Sequence, residues 1–125
     1  MNRFARESRF EAVNKQIMYT LNAARVQALN EYAYYNVQFD VAANKYWIES
    51  MDKTGTSLFR ATQIPDDIKI ASISRQQIIF NPDGTSEDFS ITLKNTYGVL
   101  HTINLQGVMN RYSVEWITKR LFLSK

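Results

Sequence analysis

The chain of 125 residues has no cysteine, one histidine, two prolines and four glycines. Without cysteine there is no disulfide framework, no thiolate-held zinc, no iron–sulfur cluster and no thiol nucleophile. A single histidine excludes a His-rich metal site. It leaves His101 as the only side chain whose ordinary pKa lies near neutrality. No apolar run approaches the roughly 18 residues that a bilayer-spanning helix needs. The opening Met1-Asn2-Arg3-Phe4-Ala5-Arg6-Glu7 lacks the apolar segment of a secretory signal. Neither a Walker nor a dinucleotide glycine pattern occurs.

What is present is globular. Apolar residues make up 45% and charged residues 22%, close to the average for packed domains and far from a disordered composition. The length suits one domain, residues 1–125, because two would each bury too small a core.

The structure breakers are unevenly placed. The first glycine is Gly55 and the first proline Pro65. Before them, Phe10, Val13, Ile17, Leu21, Ala24 and Ala28 recur every three or four residues, which predicts a helix from residue 3 to about residue 32, within an N-terminal segment 1–35. At 1.5 Å per residue it would be about 42 Å long, more than a domain of this size is wide. About half of it is expected to project. From residue 36 the pattern alternates: Val37-Gln38-Phe39, Ile68-Lys69-Ile70, Phe89 to Leu93 and Leu100 to Leu105 read as half-buried antiparallel strands. Ala42-Ala43-Asn44, Asn81-Pro82-Asp83-Gly84 and Asn95-Thr96-Tyr97-Gly98 read as turns. The fold class is therefore α+β: a long N-terminal helix packed on a small antiparallel β region, residues 36–125.

Little of this carries chemistry. His101 sits in an alternating strand with no nucleophile motif beside it. Asp66-Asp67 and Glu87-Asp88 are adjacent pairs whose members point apart in extended chain, and they read as solvated turns. No enzyme activity, cofactor or metal is expected. Charge is segregated instead: residues 1–39 carry +2, residues 40–88 carry −3 and residues 89–125 carry +4. Arg111, Lys119, Arg120 and Lys125, with Tyr112 and Trp116 among them, read either as edge-strand charges that block strand pairing or as a polyanion-binding patch.

Aromatics are plentiful. Tyr32, Tyr34 and Tyr35 are expected to pack at the helix–sheet junction. Phe4 and Phe10 fall on the part of the helix expected to project. With Val13 and Ile17 they form a candidate face for packing against other helices.

Several segments taken in order resemble the GspH/FimT-like minor pseudopilins of the type IV pilin superfamily. They are Leu21-Asn22-Ala23-Ala24-Arg25-Val26-Gln27-Ala28, Val37-Gln38-Phe39 before Tyr46-Trp47-Ile48, and Ile64-Pro65 before Ile68-Lys69-Ile70. Ile79-Phe80-Asn81-Pro82-Asp83-Gly84, Ile91-Thr92-Leu93 and Gly107 follow. The resemblance implies a pilin-like fold and a minor subunit at or near the tip of a type II secretion pseudopilus or type IV pilus, acting in protein export. Its partners would be other pilin subunits, through the N-terminal helix, and secreted cargo. It further implies a leader and an apolar membrane helix ahead of this chain, holding it in the inner or cytoplasmic membrane with the domain periplasmic or extracellular. A DNA-binding minor pilin of an uptake system is the alternative. Some such relatives carry a late Gly-Arg-any-Arg motif, whereas this chain reads Gly107-Val108-Met109-Asn110-Arg111.

Overall fold

A computed structural model describes the backbone of residues 3–51, 61–108 and 111–118 and the side chains of residues 8–51 and 61–108. One helix, α1 (Arg3–Glu31), precedes eight strands: β1 (Tyr35–Asp40), β2 (Lys45–Ser50), β3 (Thr62–Gln63), β4 (Ile68–Ile73), β5 (Gln77–Phe80), β6 (Phe89–Asn95), β7 (Val99–Gln106) and β8 (Arg111–Thr118). The helix stops at Glu31, within a residue of the end that its spacing predicts. Tyr32 takes a left-handed φ of 52°, and the Ala33 amide donates to the Ala28 carbonyl at 3.1 Å. That is a Schellman-type ending, built on a tyrosine where glycine is usual.

The strands form two antiparallel sheets rather than one continuous surface. The first has the order β3-β2-β1-β5 and the second β4-β6-β7-β8. Apolar residues face each other along the ladders: Val37 opposes Ile48 and Ile78, and Ile91 opposes Ile103. The sheets share one core. Phe39 of β1 stacks on Phe89 of β6 with ring centroids 5.4 Å apart and also meets Tyr46 of β2 at 5.4 Å. Each large apolar side chain buried there contributes about 1.5–3 kcal/mol.

Two turns have a mechanism that fixes their sequence. In Asn81-Pro82-Asp83-Gly84 the Gly84 amide donates to the Asn81 carbonyl at 2.8 Å, and Gly84 has a φ of +85°. Pro82 presets its own φ, and Gly84 takes a conformation that an L side chain resists. Gly107 is required for a different reason. A Cβ there would lie 2.2 Å from the Ser86 carbonyl oxygen, so two backbone segments touch where only glycine fits.

The helix lies against β1, β2, β5 and β7, and thus against both sheets. Its most deeply buried positions are Phe10, Asn14, Ile17, Leu21, Ala24 and Ala28, spaced alternately four and three, with Thr20 also buried beside them. They span about 27 Å of helix axis. This corrects two expectations. The helix does not leave its fold at its midpoint, because the second sheet extends the floor beneath it as far as Phe10. The buried stripe also runs through Asn14, while Val13 is only half-buried. At the other end Tyr35 is buried as expected, but Tyr32 and Tyr34 are 83% and 46% exposed and do not pack at the junction.

Candidate functional site

The helix and the surface that holds it are the part of this molecule with most to explain. Toward its C-terminal end the attachment is apolar and close. Leu21, Ala24 and Ala28 are fully buried, and the two alanines let the helix backbone approach the sheet. Leu29 rests over the 81–84 turn, where a Cβ on Gly84 would come within 3.1 Å of it. The Tyr46 hydroxyl meets the hydroxyls of Thr20 and Thr62, and burial pushes its pKa up to about 12. That group stays neutral and bonded through any ordinary pH.

Toward the N-terminal end the attachment is aromatic and polar. Phe10, 1% exposed, stacks on the imidazole of His101 with centroids 3.8 Å apart and planes within 7° of parallel. One turn later the Asn14 Nδ2 donates to His101 Nδ1. A ring accepting at Nδ1 carries its proton on Nε2. His101 is itself 1% exposed, and burial lowers its pKa from 6.5 to about 4, with the charge of Glu11 pulling the other way. Asn14 Oδ1 is buried with no hydrogen-bond partner. Outside this cluster Arg9 Nη1 pairs with Asp67 Oδ1 at 3.3 Å, and Lys15 pairs with Glu11 at 3.3 Å. Exposed pairs of this kind are worth about 1 kcal/mol or less. Between helix and first sheet lies a shallow, mostly apolar groove of about 230 Å³, lined by Ala12, Val13, Gln16, Tyr46, Ile64 and Pro65 among others.

The proposed helix-packing residues therefore separate. Phe10 and Ile17 are committed to the chain's own core, so the expectation that Phe10 stands clear of it is corrected. Val13 lines the groove. Phe4 lies on α1, and its side chain falls outside the described residues. Of the basic residues, Arg111 sits on β8 opposite Gln106, with its side chain outside the described residues. Lys119, Arg120 and Lys125 lie outside them altogether. No structural observation favours DNA as a ligand. His101 is a strand residue, as the alternation predicted. Its partner Asn14 was not expected, although a polar residue spaced four after Phe10 and three before Ile17 is visible in the sequence. Among the described residues no cluster of His, Asp or Glu could hold a metal ion, and no helix is long and apolar enough to cross a membrane.

Comparison with known proteins gives the context. The minor pilin FimU of the Pseudomonas aeruginosa type IV system superposes with a TM-score of 0.68 at 13% identity, over 90% of this chain and 92% of that one. The minor pseudopilin EpsH of the Vibrio cholerae type 2 secretion system gives 0.69 at 10% identity, over 86% and 95%. At such identities the likeness is one of fold. No curated protein matches the chain significantly. A family model described as "Type II transport protein GspH" matches residues 13–107, from the helix through Gly107.

Proposed function

This chain belongs to the GspH family of type II transport proteins, and on that footing we propose that it is a minor subunit of a secretion pseudopilus or type IV pilus. Its work is structural rather than catalytic. Other pilin-like subunits are its partners, and the N-terminal helix is the element that meets them. The observation that carries this reading is the family match running from the docked helix to the Gly107 crossing. The fold shared with a minor pilin and a minor pseudopilin supports it.

The helix supplies a physical rationale. Among the described side chains, burial on the helix begins at Phe10, and the helical backbone extends to Arg3, roughly two turns earlier. Ser8 and Arg9 are exposed. A rigid rod held along one stripe, with two further helical turns ahead of its described core contacts, can bundle with equivalent rods. Phe4 is the side chain we assign to that contact. The domain would then sit outside the bundle, on the periplasmic or extracellular side, at or near the tip, where it can meet secreted cargo.

The test is co-purification. The full-length protein, produced with the other pilin-like subunits of its own system, should retain at least one of them. Phe4→Asp should reduce that retention about tenfold without changing the unfolding midpoint of the domain. Failure to retain any subunit would remove the reading.

A further inference from the structure

His101 lies in the interior on β7 and faces the helix. Leu93 of β6 opposes it across one ladder and Trp116 of β8 across the other. Phe10 covers the ring, and Asn14 donates to its Nδ1. Among the described residues, the titratable groups on the helix nearby are Arg9, Glu11 and Lys15. All are exposed, and each belongs to an ion pair, Arg9 with Asp67 and Glu11 with Lys15. The strand neighbours Leu93 and Ile70, paired with each other on β6 and β4, carry no charge.

A proton taken up by this ring would land on Nδ1, because the neutral tautomer already carries one on Nε2. The Asn14 Nδ2–H would then face another N–H. Donor would oppose donor inside the core, beside a buried cation. One relief is rotation of the Asn14 amide, bringing the partnerless Oδ1 to accept from Nδ1–H. The buried charge would remain after that rotation. The other relief is separation of helix from strand, which lets water reach the imidazolium. The buried side chains of the C-terminal half of the helix feel none of this, and its one carboxylate, Glu31, is exposed at the last turn, where it meets Gln27 and Tyr35. Leu21, Ala24 and Ala28 do not titrate, and the Tyr46 and Thr20 hydroxyls that meet there stay neutral in acid.

We propose that the Phe10–Asn14–His101 cluster is an acid-released latch: protonation frees the N-terminal half of the helix from the second sheet while the C-terminal half stays seated on the first. Release would uncover Phe10, converting a core side chain into an exposed apolar one on the helix. The inference stands on the cluster's geometry and does not depend on the subunit reading. Burial holds the ring's pKa at about 4, so the latch is closed at neutral pH.

The experiment is hydrogen exchange of the helix amides at pH 7 and pH 4, corrected for intrinsic rates, with an NMR titration of the imidazole alongside. Because the chain has one histidine, that resonance is unambiguous. Protection of residues 10–17 is expected to fall at least tenfold at pH 4, residues 21–31 are expected to keep theirs, and the loss should follow the imidazole titration. His101→Gln keeps an acceptor for Asn14 and takes up no proton, so its residues 10–17 should be indifferent to pH. The proposal is overturned by equal loss in both halves, by an imidazole titrating near 6.5 with no change in exchange, or by the same acid step in His101→Gln. Should His101→Gln fail to fold, the contrast between the two halves in the native chain decides the matter alone.

Discussion

The two ends of the one helix are attached by different chemistry. The C-terminal end uses Leu21 and small alanines against the first sheet, close and indifferent to pH. The N-terminal end uses a stacked phenylalanine and an asparagine on a buried imidazole of the second sheet. Hydrophobic burial holds through any ordinary pH, whereas the imidazole contact depends on the ring staying neutral. One helix can thus be firm at one end and conditional at the other, which suits an element proposed to serve both a domain core and a bundle.

Truncating one side chain at each end of the helix has the largest expected effect. Leu21→Ala and Phe10→Ala are each expected to cost about 2–5 kcal/mol in urea unfolding at pH 7. A cost below about 1 kcal/mol for Phe10→Ala would mean that the N-terminal half is not seated as described. Acid sharpens the contrast next. The folded chain holds His101 at about 4 while the unfolded chain protonates it near 6.5. The unfolded state therefore binds more protons between those values. The contribution is complete above about pH 6.5, declines as pH falls, and amounts to a loss of roughly 3 kcal/mol by about pH 4. His101→Gln should flatten that slope in a series of unfolding curves.

Smaller effects belong to the C-terminal end. Gly84→Ala puts an L residue at a φ of +85° and presses on Leu29. It should cost about 1–2 kcal/mol, with faster hydrogen exchange confined to the last turns of the helix. Tyr32→Gly should act in the opposite sense. Tyr32 is largely exposed and strained at φ 52°, so glycine is expected to raise stability by about 0.5–1 kcal/mol in thermal unfolding.

Most of the architecture was legible in the sequence, for identifiable reasons. The breaker-free first 54 residues and the spacing from Phe10 to Ala28 specify the helix, and alternation around Val37, Ile91 and Ile103 specifies strands with one buried face. The division into two sheets was not legible, because alternation reveals a buried face but not which strands share it. That division is why Phe10 is covered: the floor beneath it comes from β7, far along the chain. The stop at Glu31 was legible from where the helical spacing ends, although a tyrosine fills the position where glycine is usual. Of the candidate site, Ile17, expected on the face that packs against other helices, is instead fully buried in the chain's own core. Asn14 was passed over because hydrophobic periodicity gives no weight to a polar residue, even one at the spacing of the buried stripe.

The helix, held on its own sheets from Phe10 to Ala28, is proposed to meet other subunits through the turns before Phe10. Since these 125 residues contain no cysteine, Phe4→Cys supplies their sole thiol for cross-linking in the full-length protein, assembled with the other pilin-like subunits of its system. Cross-linked heteromers should form from position 4 and not from Lys69→Cys, an exposed control on β4. No heteromer from position 4, or equal yields from both positions, would contradict this proposal.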